Sequence, residues 1–303
     1  MAMVAVLVNS FPCPSSACLW RNELTVDGTR KQVGISKALF EWRRAPRTAK
    51  ETREEARAVK DNWRNAHDLP SRNEYGWALT YLGEYTNALQ VLHAIEQEQP
   101  GLYPTAANLG TAYELAGNNQ EALKWITTAL IRNPDAHEGT EWLHREILKA
   151  KIRLEKDSKA LLKEPVLSLP PTFGRSKEAL LVFGSERYNA SDVEKAIRYQ
   201  LKERLQFVTP PDPVVAQLMR NYSEIEVATG TLQTATSYLD FALSFGLSNE
   251  DYGVFSRRYN RLLMLARIRH YWPLGFIVAL LGAVGFSIYR RTHVPPSSRP
   301  ARA

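Results

Sequence analysis

Small and helix-ending residues recur along the middle of this 303-residue chain at one fixed displacement of 34 positions. A period of that length is typical of a helix–turn–helix unit that is stacked on copies of itself. The recurrence therefore restricts this part of the chain to stacked helical hairpins. The residues that carry it are Gly76, Gly83, Ala88 and Pro100 in the first unit, and Gly110, Gly117, Ala122 and Pro134 in the second.

The residue types fit two antiparallel helices that pack closely. Small residues must lie where the backbones approach, so we expect Gly76 to face Ala88, with the equivalent pair one period later. Gly83 lies at the turn, where a positive φ costs little only for glycine. Pro100 ends the second helix because proline cannot continue one. Apolar residues at helical spacing complete the units: Tyr75, Leu79, Leu82, Leu89, Leu92 and Ile95, then Leu109, Tyr113, Leu123, Ile126 and Leu130.

The pattern resembles the tetratricopeptide repeat (TPR), whose signature positions match Leu109-Gly110, Tyr113, Gly117, Ala122, Ile126, Ala129 and Pro134. The first unit matches at Gly76, Gly83, Ala88, Leu92 and Pro100, but has Tyr75 where leucine is usual. The resemblance covers residues 69–136, and it is specific for the fold rather than for any function. It implies an all-α protein, a TPR-like α-solenoid of helical hairpins.

Two repeats leave apolar faces open, and three or more are normally needed to close a core. The flanks should therefore supply further helices. We expect a capping helix over Gly139–Lys156, a helix over Asp192–Phe207 within an irregular connection, and a divergent hairpin over Pro213–Gly246. The predicted units are an N-terminal helix in 35–68, two repeats and the cap in 69–159, a proline-containing insertion in 160–212, and the divergent hairpin with an Arg-rich approach helix in 213–268.

The N-terminal segment 1–34 fits either a leader or a disordered terminus. Met3–Val8 is apolar, but no basic residue precedes it, and Pro12 follows soon after. A secretory leader needs a basic start and a longer apolar stretch. The only cysteines, Cys13 and Cys18, could pair, stay free or belong to a removed leader, and no histidine stands near them to complete a zinc site.

Tyr271–Tyr289 contains no charged residue, and Arg290 and Arg291 follow it directly. A helix of this length measures about 28 Å, which matches the hydrocarbon core of a bilayer. Aromatic residues stand at both ends, at the level that headgroups occupy. The sequence predicts one transmembrane helix over 271–289, a basic tail over 290–303, and a single-pass membrane protein.

The formal net charge of +7 favours contact with lipid over contact with nucleic acid. Basic residues crowd the region of the apolar span, where they commonly contact anionic headgroups, and the body has no basic stripe interleaved with aromatic residues. Because arginines flank the span on both sides, the side of the membrane that carries the body stays open. Homo-oligomers also stay open, since Gly275 and Gly282 give only a weak helix-pairing pattern.

One cluster could carry chemistry. His137, Glu141 and His144 would share a helix face at i, i+4 and i+7, as metal ligands do. The zinc-protease signature would need histidine at position 141, so the pattern departs from it. A capping histidine, a solvated glutamate and a packed histidine are the ordinary alternative. Without phosphate-binding loops or a nucleophile elbow, we expect no enzyme, no cofactor and no bound metal.

The TPR resemblance implies a concave groove lined by the first helix of each hairpin. The aromatic pair Trp77 and Tyr81, four residues apart, would offer anchor area for a partner or would pack between repeats. The lysines and asparagines with which some TPR proteins clamp acidic C-terminal peptides are missing. The implied groove positions are Asn73, Trp77, Thr80 and Tyr81, then Ala107, Thr111 and Glu114, and, on the cap, Glu141, Arg145 and Leu148.

These observations predict a membrane-anchored scaffold that binds a protein or peptide partner through its concave groove. Two alternatives remain at this point. One is a metal-binding or catalytic body built on the cluster of His137, Glu141 and His144, and the other is a purely structural subunit of a membrane complex.

Overall fold

A computed structural model describes residues 21–33, 37–170, 173, 180–183 and 185–293, with backbone alone for Arg21, 37–48 and 290–293. Helices dominate, and the all-α prediction is confirmed. In chain order the elements are β1 (Arg21–Leu24), β2 (Arg30–Val33), α1 (Lys37–Trp63), α2 (Leu69–Tyr81), α3 (Tyr85–Glu98), α4 (Tyr103–Leu115), α5 (Asn119–Arg132), α6 (Ala136–Gly139), α7 (Glu141–Lys156), α8 (Ala160–Lys163), β3 (Leu181–Phe183), β4 (Glu186–Tyr188), α9 (Ala190–Arg204), α10 (Pro213–Thr229), α11 (Leu232–Ser244) and α12 (Asn249–His293).

The periodic segment of the sequence forms two successive helical hairpins, α2–α3 and α4–α5. Both helices of the second hairpin begin exactly one sequence period after their counterparts in the first. Gly76 and Gly110 lie where the paired helices approach: a Cβ at Gly110 would stand 2.4 Å from Ile126 Cδ1. The glycines face Leu92 and Ile126 rather than Ala88 and Ala122, so the expected partners were wrong by one helical turn. Gly83 turns the first hairpin at φ +85°, a conformation that side chains with a Cβ rarely adopt.

The helix that follows the second hairpin, α7, begins two residues after the predicted start. His137 and Glu138 adopt left-handed φ angles of 51° and 61°, which interrupt the helix before α7 begins at Glu141. The α7 helix then packs on α5, where Leu148 joins Ala122 and Ile126 in a buried cluster. The predicted cap is therefore present, and it begins at Glu141 rather than at Gly139.

The insertion is more ordered than predicted. Residues 190–204 form α9, whose N-terminus is closed by a capping box between Asn189 and Asp192. The α9 helix packs against α1, α7 and α10, so it does not belong to an irregular connection. The largest apolar cluster unites α7, α9, α10, α11 and α12, with Leu143, Ile197 and Tyr238 fully buried.

Residues 21–33 also differ from the prediction of a leader or disordered terminus, because β1 and β2 form an antiparallel hairpin. Its buried Glu23 accepts hydrogen bonds from the hydroxyls of Thr231 and Thr234 on α11. At the turn, Gly28 lies so close to α12 that a Cβ would stand 2.9 Å from the carbonyl oxygen of Ala266. Residues 1–20, with both cysteines and the leader prediction, lie outside the described residues.

The predicted approach helix and apolar span form one continuous helix, α12, of 45 residues. Its first half is anchored in the body through the buried residues Tyr259 and Ala266. Its most apolar 18-residue stretch has mean hydropathy 1.8, and none of that stretch is buried. By length and composition α12 is therefore able to cross a membrane. Residues 294–303, most of the predicted basic tail, lie outside the described residues.

Candidate partner-binding cleft

A cleft of about 530 Å³ opens between the first helices of the hairpins and the insertion. One wall comes from α2, α4 and α7, and the other comes from α9 and the segment 205–208 that follows it. Of the ten positions implied by the repeat resemblance, seven line it: Trp77, Thr80, Tyr81, Ala107, Thr111, Glu114 and Glu141.

The other three positions lie elsewhere. Asn73 is buried between α2 and α4, where its side-chain nitrogen donates to the hydroxyl of Thr105 over 3.0 Å. Leu148 is fully buried in the α5–α7 contact. Arg145 leaves the cleft and pairs with Glu186 on β4 at 2.6 Å and with its neighbour Glu146 at 2.8 Å.

Aromatic rings line one end of the cleft. The Trp77 and Tyr81 rings lie 5.8 Å apart, and Tyr81 meets Phe207 edge to face at 4.8 Å between ring centres. Tyr81 is buried and donates its hydroxyl proton to Gln206 Oε1 over 3.0 Å, whereas Trp77 and Phe207 stay partly exposed. Accessible aromatic surface therefore remains at Trp77 and Phe207, while the Tyr81 ring is packed between them.

Glu114 is the centre of a buried ion-pair network. Its carboxylate accepts hydrogen bonds from His144 at 2.6 Å, Arg204 at 2.6 Å and Lys151 at 3.0 Å. Burial opposes the charged form, but Arg204 and His144 hold the pKa of Glu114 well below its usual range. Because Arg204 comes from α9 and the other two partners come from α7, the network fastens both helices to α4.

The metal-like cluster does come together, as hydrogen-bonded ion pairs. Glu141 lies 2.5 Å from His137 Nδ1 and 3.2 Å from His144 Nδ1. Although burial opposes ionisation, the two histidines lower the pKa of Glu141 to about 2. Burial also opposes the charged form of His144, but Glu114 and Glu141 raise the pKa of that imidazole.

Both ring nitrogens of His144 therefore contact carboxylates, which leaves neither with a lone pair for a metal. Within the described ranges, no group of three or more metal-ligating side chains is placed to hold an ion.

The wall supplied by the insertion was not predicted. Tyr199 stacks on His137 with ring centres 5.2 Å apart, and Glu203, Arg204 and Phe207 line the cleft around it. In the sequence, this wall corresponds to a charged stretch between prolines that interrupts the repeat period. That stretch predicted a helix, but it did not predict the surface against which the helix packs.

No protein-family model matches the chain, and no curated protein matches it.

Proposed function

We propose that this protein is a membrane-anchored TPR scaffold that captures a protein or peptide partner in the cleft between its concave face and α9. The observation that carries the proposal is a cleft of about 530 Å³ with Trp77 and Phe207 partly exposed inside it. Clefts of this size accommodate small ligands or a few side chains of an extended segment. Aromatic side chains dominate the energetics of such sites.

The TPR assignment is supported by the helices themselves. Two hairpins repeat at the period of the sequence pattern, and a glycine in each first helix lies against a branched side chain of the second. Gly83 and Gly117 turn both hairpins with positive φ. The glycines at close approaches and at the turns were expected from the residues that carry the resemblance, whereas the side chains that the first-helix glycines contact, Leu92 and Ile126, were not.

The membrane assignment is supported by the exposed apolar surface of α12. The side chains of Tyr271–Tyr289 are exposed throughout, and large members such as Trp272, Val278 and Leu281 are 65–69% exposed. An apolar surface of that extent is unfavourable in water and is typical of a membrane or protein contact. The charge-free length of about 28 Å favours a bilayer.

The insertion narrows what the cleft can receive. Because α9 is fastened to the concave face through Glu114, a whole partner helix cannot lie along the groove without displacing it. A short extended segment or a loop fits the remaining space. We therefore infer recognition of a few residues rather than of a long amphipathic helix.

Site-specific photocrosslinking in native membranes tests the proposal. A photoreactive residue at Thr111, which lines the cleft, should capture a discrete partner, whereas the same residue at Lys124, which is exposed on α5 away from the cleft, should not. Trp77→Ala should reduce the capture at least about tenfold, as loss of a hot spot worth about 2 kcal/mol would. Trp63→Ala is the matched control, because Trp63 is 41% exposed and does not line the cleft.

Thermal stability of both tryptophan variants has to be measured in parallel. Loss of capture in a Trp77→Ala variant that melts like the parent supports the proposal. Undiminished capture in that variant, or equal crosslinking from both positions, contradicts it.

A further inference from the structure

In the described part of the chain, three carboxylates line the cleft: Glu114, Glu141 and Glu203. Glu203 is the one that makes no hydrogen bond or ion pair with the residues that the structure describes. Glu114 is held by three cationic side chains, and Glu141 by two histidines. Glu203 lies on α9 and is only partly exposed. Burial raises the pKa of its carboxyl group, and the positive charges of Lys202 and His137, which make no ion pair with it, only partly oppose that effect. Burying a carboxylate without a cation or hydrogen-bond donor beside it is unfavourable. A ligand that brings such a group to the carboxylate therefore binds more favourably.

The cations that line the cleft do not offer a comparable opening for an anion. Lys151, Arg204 and His144 are already hydrogen-bonded to Glu114, and His137 is hydrogen-bonded to Glu141. The Nε donor of Arg204 has no partner, but it is fully buried and so does not face a ligand in the cleft. Lys202 lines the cleft but is exposed, so water already satisfies its ammonium group. The unmet electrostatic requirement inside the cleft is therefore for positive charge.

The aromatic end of the cleft favours the same kind of group. Trp77 and Phe207 keep accessible ring surface beside Tyr81, and a ring face attracts a cation through its quadrupole. The stems of lysine and arginine side chains also cover apolar surface while their charged ends reach a carboxylate. An anionic group would meet aromatic faces and Glu203, both of which are unfavourable for negative charge.

We propose that the cleft receives a cationic side chain of the partner, the ammonium group of a lysine or the guanidinium group of an arginine, with Glu203 as its counter-ion and the Trp77 and Phe207 rings beside its stem. This inference rests on the proposed function of the cleft and specifies the chemistry of the segment that it captures.

Four peptides test the charge requirement on the full-length protein in detergent. They are N-acetylated, C-amidated pentapeptides of alanine whose central residue is lysine, norleucine, arginine or citrulline. Norleucine and citrulline keep the length of the side chain and remove its charge. We expect the lysine and arginine peptides to bind at least about tenfold more tightly than their neutral counterparts.

Glu203→Gln should abolish that difference, and Glu74→Gln should preserve it, because Glu74 is an exposed glutamate of α2 outside the cleft. Glu203→Gln should also melt no lower than the parent, since it removes an unpaired charge and no contact to the described residues. A lower melting temperature would indicate a structural role for Glu203 and would overturn the proposal.

The absence of any difference between charged and neutral peptides, whether all bind or none does, also overturns it. So does preferential binding of a pentapeptide with central glutamate. These failures differ from failure of the proposed function. If crosslinking at Thr111 depends on Trp77 but not on the charge of Glu203, the cleft captures a partner and only the cationic assignment is wrong.

Discussion

Replacing Gly110 by alanine tests how closely α4 and α5 pack, and therefore how the cleft wall is held. A Cβ at this position would lie 2.4 Å from Ile126 Cδ1 and 2.6 Å from Ile126 Cγ1. It would also lie 3.2 Å from the backbone nitrogen of Ile126, so rotation of the side chain cannot relieve the whole clash. At Gly76, by contrast, the three nearest atoms all belong to the Leu92 side chain, at 2.7 Å or more.

Two opposing effects decide the size of the change. Alanine stabilises a helix interior by about 1 kcal/mol relative to glycine. Overpacking a close contact costs about 1–3 kcal/mol and more when backbone must move. We therefore expect Gly110→Ala to lower the free energy of unfolding by about 2 kcal/mol, and Gly76→Ala to lower it by less than about 1 kcal/mol. For a body of this size, a loss of about 2 kcal/mol corresponds to a fall of about 4–8 °C in melting temperature.

A double-mutant cycle that combines Gly110→Ala with Ile126→Ala tests whether the new methyl group clashes with Ile126. Ile126→Ala alone should cost about 2–5 kcal/mol, since Ile126 is fully buried. In the double variant the new methyl group occupies vacated space, so the combined loss should fall short of the sum by at least about 1 kcal/mol. Thermal unfolding followed by circular dichroism gives all four values. Additive losses, or a Gly110→Ala protein as stable as the parent, would refute the close approach of these helices.

Three further outcomes are expected. The full-length protein should stay with membranes through carbonate and high-salt washes while a chain that stops before Tyr271 is released, and release of both would contradict the membrane anchor. The pKa of His144 is raised above its ordinary 6.5, so protonated His144 stabilises the folded protein fully below pH 6.5, and this contribution is lost as the pH rises through the folded-state pKa. The melting temperature of the parent should therefore fall over that range more than that of His144→Gln. Ala122→Leu and Ala88→Leu should each cost about 1–3 kcal/mol or more, because both alanines are fully buried, and unchanged melting would mean that the hairpin contacts are wrong.

The hairpins were predictable because their constraints are local. Each hairpin needs a glycine where its helices approach, a glycine with positive φ at its turn and a proline after its second helix. These positions are separated by fixed numbers of residues, so they can be recognised in the sequence. The predicted helix over Asp192–Phe207 likewise corresponds to α9, Ala190–Arg204, which begins two residues earlier and ends three residues earlier.

The other wall of the cleft was not predictable by the same means. The contact between Arg204 and Glu114 joins residues 90 positions apart, and no periodic pattern relates them. The β1–β2 hairpin was missed for a similar reason. Short strands are marginal on their own, and this pair is stabilised by α11 and α12, which come near the opposite end of the chain.

The cap positions Arg145 and Leu148 show how a transferred pattern fails. The transfer assumed that the first helix of a third unit continues the spacing of the first two. Left-handed backbone at His137 and Glu138 delays that helix until Glu141. Glu141 still reaches the cleft, whereas Arg145 pairs with β4 and Leu148 packs against α5.

The α12 helix is continuous through Pro273, although this proline has no N–H to donate to the preceding turn. For a chain held in a bilayer through Tyr271–Tyr289, as proposed, the same helix extends about 33 Å further into the body at about 1.5 Å per residue, from His270 back to Asn249. The β1–β2 hairpin clamps it at its exit, where Arg269 donates to the carbonyl oxygen of Val26 over 3.0 Å. The orientation of the body is therefore coupled to that of the span through a single helix, and a tilt that bilayer thickness imposes on the span reorients the mouth of the cleft as well.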